Sequence, residues 1–222
     1  PSPAEVTSSD NVWNTNNQIF AGSVLYGVLR ASQYYQNTFF RNSYDDAGGD
    51  VDGYINAQFD DGTGSPHPNN ASMSFTTGVL KVGLGTPSSS SALLTNSYAT
   101  LDLLGHEYTH AVTGAEASLD YEGESGALNE SFSDIFGEMV EDFVYGSCDY
   151  LMGGDRDNGA IRSLSNPKSN SDPDTYKGTN WVNIVSTCYA TNDDCGVHTN
   201  SGVQNYWFYL LAEGGSGIND NG

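Results

Sequence analysis

Only four histidines occur in 222 residues, and two of them, His106 and His110, flank the carboxylate Glu107 in the pattern H-E-x-x-H. On a helix, residues four apart share a face, so both imidazoles can reach one ion. In a chain of this composition, chance produces such a match about 0.3% of the time. The pair therefore reads as a metal site rather than as two stray surface histidines. Catalytic zinc takes three protein ligands and keeps one position open for water. Glu107 points away from the histidine face and suits the general base that takes that water's proton. Glu130 is the candidate third ligand. It opens the run ESFSD, whose i, i+4 spacing places Asp134 on the same face. From there Asp134 can accept the free ring N–H of a histidine and fix its tautomer. Alone, these two acids would read as a solvated helix face; beside H-E-x-x-H the ligand reading is the stronger one.

A second acidic set follows in Glu138, Glu141 and Asp149, and Asp102 lies one turn before His106. If the two helices run antiparallel with zinc between them, Asp102 approaches Glu138 and Glu141. Carboxylates converging without a cation repel, and an all-oxygen cage is what calcium prefers. A solvated acidic face is the plainer alternative.

Helical apolar spacing runs through Leu101–Thr113 and Gly126–Phe143, with Ser125 a candidate N-cap for the second. Val203–Leu211 and Ser23–Tyr35 read as further helices, and Tyr54–Phe59 and Val79–Val82 as short strands. Asp149–Lys177 and the serine run Ser88–Ser91 read as loops. The change in character places a boundary between a first lobe, 1–115, and a second, mainly helical lobe, 116–222.

The formal charge of −21 excludes nucleic acid and anionic membranes as partners, because both need a basic footprint. It suits a secreted protein or one that binds hard cations. No stretch of 18 apolar residues is present to span a membrane. Apolar residues at 37% suffice for a core. Cys188 and Cys195 are near enough in sequence for a small disulfide loop, which would fit an oxidising compartment; three free thiols are the alternative, and Cys148 has no evident mate. The polar start at Pro1 reads as a mature or trimmed product.

The run GHEYTHAVTGAEASLDYEGESGALNESFSDIFGEMVEDF resembles the thermolysin-like neutral zinc metalloproteases. Supporting stretches are Ser9–Phe20, Pro68–Ser74, Ala160–Ser163 and Gly196–Leu211, so that the resemblance covers about residues 9–215. It implies an α+β, two-lobed zincin, with a β-rich N-terminal lobe, a mainly helical C-terminal lobe and zinc in the cleft between them. The chain is shorter than that family's usual catalytic unit at both ends, so the second lobe reads as incomplete.

By resemblance, His106, His110 and Glu130 hold zinc, Glu107 is the base and Asp134 orients a histidine. Tyr121 and His198 hydrogen-bond the oxyanion, donors placed where charge develops, and Asp193 orients His198. Asn70 and Ala71 bind the substrate backbone as an added strand. Arg162 binds the carbonyl of the residue after the scissile bond, and Leu103, Met152 and Ile161 line a pocket for its side chain. Asp102, Glu138, Glu141, Asp149 and the Leu151 carbonyl match a single calcium site. The Cys188–Cys195 pair stands outside the family pattern; a disulfide there would rigidify the loop carrying His198.

The activity implied is a secreted, monomeric zinc endopeptidase, made with a propeptide and cutting proteins and peptides on the amino side of bulky hydrophobic residues. An aminopeptidase would need a carboxylate site for the substrate amine, and the sequence carries no signal for one. A different class of reading is a non-catalytic zinc- or calcium-binding module derived from such a protease. Glu107 together with Tyr121 and His198 argues against it, since structural zinc has no use for a base or oxyanion donors.

Overall fold

The computed structural model describes residues 4–10, 12–60, 62, 64–86 and 96–221; the serine run at 88–91 lies outside them. The first half holds helix α1 (Asn16–Phe39), strands β1 (Asp52–Ile55), β2 (Ala71–Met73) and β3 (Val79–Val82), and helix α2 (Leu101–Glu116). The second half holds α3 (Gly123–Tyr145), the two-residue strands β4 (Leu151–Met152) and β5 (Arg162–Ser163), and helices α4 (Asp193–Asn200) and α5 (Gly202–Glu213). The fold is thus α+β, with the larger sheet in the first half and helices dominating the second. Among the described residues no helix is long and apolar enough to cross a membrane.

Helix α1 starts well before the apolar stretch at Ser23. The Thr15 hydroxyl accepts from Gln18 N–H while the Gln18 side chain accepts from the Thr15 N–H, a reciprocal cap that extends the helix through polar residues. It stops where Phe40 turns left-handed at φ 59°. Its buried face packs on α2, and Gly27 permits the approach. A Cβ at Gly27 would lie 2.3 Å from Leu104 Cδ1.

In the three-stranded sheet β3 is central, parallel to β1 and antiparallel to β2. Strand β1 begins and ends earlier than the apolar alternation of Tyr54–Phe59 indicates. Asn56, at φ 55°, turns the chain away, and Phe59 pairs instead with His67. Among the described residues strand β2 leaves one edge unpaired in the sheet order, with Asn70 at its entrance. Helix α2 is buried along most of its length, between a core of Phe20, Val24, Leu80, Val82 and Tyr108 and a smaller one of Leu103, Ile135, Met152 and Leu164.

Helices α2 and α3 cross closely because glycines meet there. A Cβ at Gly105 would lie 3.1 Å from Gly137 Cα, and one at Gly137 would lie 2.5 Å from the Asp102 carbonyl oxygen. Asp102 therefore faces the later part of α3 while His106 faces Asp134. The helices run antiparallel. Helix α3 begins at Gly123 with Glu122 in the cap position, not with Ser125. Gly123 enters at φ 55°, a conformation glycine adopts at little cost. The segment 149–177, expected as loop, contains β4 and β5 paired antiparallel, Leu151 with Ser163 and Met152 with Arg162.

Candidate active site

A cleft of about 490 Å³ lies beside α2 and α3 and is lined by Asn70, Ala71, Leu103, Ile161 and Arg162 around the histidines and acids of the motif. His106 and His110 project from α2 and Glu130 from α3, with exposures of 4%, 5% and 0%. One ligand atom from each lies within 4.8 Å of the others. His106 Nε2 is 3.5 Å from Glu130 Oε2, and His110 Nε2 is 3.2 Å from Glu130 Oε1.

The rest of each histidine is already committed. His106 Nδ1–H donates to Asp134 Oδ1 at 2.8 Å. His110 Nδ1 lies 2.7 Å from Asn129 Oδ1, with the Ser133 hydroxyl 3.0 Å from the same nitrogen. Both partners tie up Nδ1 and turn Nε2 toward Glu130. Glu130 Oε2 is buried without a hydrogen-bond partner, a costly state for a carboxylate oxygen. Burial pushes the Glu130 carboxyl up, yet His198, His110 and His106 outweigh it and hold it well below the usual range. Burial likewise opposes charge on His110, and Glu130 overrides it, raising its pKa to about 9. A site of this polarity attracts a cation, and two imidazoles plus one carboxylate is a donor set that fits zinc.

Behind the ligands lies a second layer. Asp134 is fully buried. It accepts from Arg162 Nε at 2.7 Å, Arg162 Nη2 at 2.6 Å and Asn205 Nδ2 at 2.8 Å, besides His106. Burial would raise its pKa, but Arg162 and then His106 depress it below the usual carboxylate range. Arg162 spends Nε and Nη2 on this pair. Nη1 has no protein partner among the described residues, and the side chain lines the cleft. Glu107, 6% exposed, lines the same cleft.

Across from the ligands stand Tyr121 and His198. The Tyr121 hydroxyl donates a short hydrogen bond to Glu130 Oε1 and lies 3.3 Å from His198 Nε2. Burial, then the Glu130 charge, pushes the phenol up, so it remains a protonated donor. His198 Nδ1 is held by Asp193 Oδ1 at 2.5 Å, which leaves Nε2 facing the cleft. Phe75, whose ring lies 5.5 Å from His110 and 5.6 Å from Tyr121, walls the same space.

Leu103 and Ile161 are on the cleft lining, whereas Met152 is fully buried behind them in the second core. Strand β4 pairs Met152 directly with Arg162, so both side chains lie on one face of the ribbon, but Met152 is fully buried and is not among the residues on the lining. Ala71 is 6% exposed at the start of β2, and Asn70 passes its carbonyl to Gly83 N–H at 2.9 Å. The two lie on the cleft lining beside the sheet edge.

Among the acids of the second set, Glu138, Glu141 and Asp149 bring oxygens within 4.8 Å of one another. Glu138 Oε2 accepts from Tyr150 N–H at 2.8 Å while Oε1 is buried without a partner. Burial, then Asp102 and the neighbouring acids, raises Glu138 to about 9 and Glu141 to about 7. Asp102 is occupied by the N–H groups of Leu103 and Gly153 and lies outside that set of three. The Leu151 carbonyl accepts from Gly154 N–H at 2.7 Å.

The family model of the thermolysin metallopeptidase catalytic domain matches residues 2–114, and that of the thermolysin metallopeptidase alpha-helical domain matches residues 117–222. The chain belongs to the thermolysin metallopeptidase family. A bacillolysin of Brevibacillus brevis is 38% identical over 98% of the chain, and one of Bacillus cereus 36% over 94%. The chain spans 37% and 34% of those relatives' lengths. Among solved structures, the precursor of protealysin, a metalloproteinase from Serratia proteamaculans, superposes with a TM-score of 0.71 at 25% identity. That match covers 94% of this chain and 63% of that one.

Four further residues surround the cluster without belonging to any motif of the sequence. Asn129, Ser133, Asn205 and Phe75 all support the site. Asn129 and Ser133 sit on the helix that carries Glu130, so their turn of helix was a usable signal. Asn205 and Phe75 had none, because their partners are distant in sequence.

Proposed function

We propose that this protein is a secreted zinc endopeptidase, built as lobes 1–115 and 116–222, that hydrolyses internal peptide bonds on the amino side of bulky hydrophobic residues. The observation that carries this reading is one cleft holding a three-ligand cation site, a carboxylate not needed as a ligand, and a facing pair of hydrogen-bond donors. His106, His110 and Glu130 would hold the zinc. Bound there, the metal would acidify water and polarise the scissile carbonyl.

The chain's own residues supply the rest. Glu107 accepts the proton of the attacking water and passes it to the departing amine. Asp193 accepts His198 Nδ1–H and favours the doubly protonated ring, whose Nε2–H donates together with the Tyr121 hydroxyl to the oxygen on which negative charge develops. Asn70 and Ala71 hold the substrate backbone in extended form along the β2 edge. Arg162 Nη1 donates to the carbonyl after the scissile bond. Leu103 and Ile161 face its side chain, where a charged group would be desolvated without a partner. We further assign one structural calcium to Glu138, Glu141, Asp149, Asp102 and the Leu151 carbonyl, a propeptide to the precursor, and a monomeric state to the mature enzyme.

An internally quenched peptide with blocked ends tests the reading. Cleavage that a chelator abolishes and zinc restores is expected; no cleavage by the zinc-loaded chain leaves a metal-binding module. Cleavage sites mapped in an unstructured protein should have Leu, Phe or Ile after the cut at both low and high salt. Mostly charged residues or glycine there would rule out the pocket assignment.

A further inference from the structure

Cys188 and Cys195 are bonded, with Cα atoms 5.1 Å apart, so the disulfide expected beside His198 is present. The two cysteines lie in unlike surroundings. Cys195 is 1% exposed, whereas the segment 183–191 around Cys188 is almost wholly exposed and carries no packed core of its own. The bond ties a loose loop to a buried turn.

That turn is unusual. Asp193, Asp194, Cys195 and Gly196 have φ of 55°, 44°, 67° and 84°, four left-handed residues in succession, three of them not glycine. Each such non-glycine residue is disfavoured and persists only where its surroundings impose it. The surroundings here are the ring the disulfide closes, on one side, and the His198 and Thr199 N–H groups that bind the Asp193 carboxylate, on the other. Tyr189 C=O accepts from Asp194 N–H at 3.1 Å and from Asn192 N–H at 2.9 Å, and Thr187 C=O accepts from Asn192 Nδ2 at 3.0 Å. Asn192 Oδ1 in turn accepts from Cys195 N–H at 3.2 Å. Tyr189 and Asn192 lie inside the ring and Thr187 one residue before it, while Val182 N–H and C=O pair with the Asn200 side chain and anchor the start of the loop independently of the bond.

The turn delivers Asp193 to its place. The carboxylate accepts from His198 N–H at 3.1 Å, Thr199 N–H at 3.3 Å and His198 Nδ1–H.

We propose that the Cys188–Cys195 disulfide is a positioning element of the catalytic apparatus: it holds the left-handed turn that keeps Asp193 on His198, and its reduction slows turnover by loosening that histidine. This rests on the reading of His198 as an oxyanion donor. The effect belongs to the transition state, so it falls on kcat and spares KM. Complete removal of an oxyanion donor costs about 10²–10³ in kcat. Loosening one should cost less, about tenfold to fiftyfold.

The test compares the unaltered chain with two paired variants, Cys188→Ser with Cys195→Ser and Cys188→Ser with Cys195→Gly, alongside the unaltered chain reduced by a phosphine. Turnover of the quenched peptide is measured together with hydrogen exchange at the His198 and Thr199 amides. The paired serine variant and the reduced chain should lose kcat with KM within about twofold, and both amides should exchange at least tenfold faster. Cys195→Gly should recover much of the loss, because glycine takes a φ near +67° without the bond. Unchanged kcat without the disulfide, or unchanged exchange at the two amides, would overturn the proposal. If the unaltered chain cleaves nothing, the protease reading fails by itself, and the exchange comparison still decides whether the bond holds Asp193.

Discussion

Replacing Asp134 by Asn keeps the volume of the side chain and removes its charge at the most connected point beneath the metal ligands. Four N–H donors converge on its two oxygens: His106 Nδ1, Arg162 Nε, Arg162 Nη2 and Asn205 Nδ2, all at 2.6–2.8 Å. An amide offers one oxygen and turns an NH₂ toward the remaining donors. Arg162, 8% exposed, would be left with Glu130 at 3.6 Å as its nearest carboxylate. Breaking a buried ion pair by removing one partner costs about 3–5 kcal/mol, which for a chain of this size lowers Tm by about 10 °C. The same change frees the His106 ring and should weaken zinc binding about tenfold to hundredfold.

Calorimetry and competition with a chromophoric chelator read the two effects separately. Pairing Asp134→Asn with Arg162→Met should return at least about 1 kcal/mol relative to the sum of the single changes, since no buried cation is then left unpaired. A Tm within 2 °C of the unaltered protein, or zinc affinity changed less than about twofold, would refute the claim that Asp134 joins the metal site to the arginine. The pH dependence has a fixed sign. Because the folded-state pKa of Asp134 is depressed, its stabilisation is complete above the usual carboxylate value of 3.8 and is lost as pH falls below it.

Glu107→Gln should keep zinc at full stoichiometry and lose about 10²–10⁴ of kcat, because an amide cannot accept the water's proton; zinc lost in step with activity would remove its role as base. Tyr121→Phe and His198→Ala should each lower kcat about tenfold to a thousandfold with KM little changed, and a loss confined to KM would assign them to ground-state binding. Glu138 and Glu141 hold protons in the folded chain that the unfolded chain has released, so without a cation stability should fall as pH rises from 4.5 through about 7 to about 9. Calcium should therefore raise Tm more at pH 8 than at pH 5, and a Tm that does not respond to micromolar-to-millimolar calcium would dismiss the site.

What the sequence made legible follows from how far each signal reaches along the chain. His106, Glu107 and His110 lie within two turns of one helix, so their geometry follows from spacing alone, and the same holds for Glu130 with Asp134. Apolar periodicity shows only part of helix α1, because its start depends on a polar reciprocal cap. Strands β4 and β5 are two residues each in a Gly- and Asn-rich stretch, too short for alternation to appear. They matter all the same, since β5 carries Arg162 to Asp134 and β4 sets Met152 beside it on the same face.

Helix crossing is a different kind of information. Gly105 and Gly137 are unremarkable in any local window, and their meaning appears only when a Cβ at either one is seen to meet the opposite backbone. Because α2 and α3 approach at those glycines, His106 and His110 can reach a carboxylate on another helix, and the same antiparallel crossing sets Asp102 beside Glu138. One packing contact thus positions both clusters, His106 with His110 and Glu130, and Glu138 with Glu141 and Asp149. A substitution such as Gly137→Ala should therefore disturb both at once, although neither cluster contains the altered residue. The left-handed turn at 193–196 is the converse case. Its conformation is invisible to periodicity, yet it sets the position of the histidine that faces the metal ligands across the cleft.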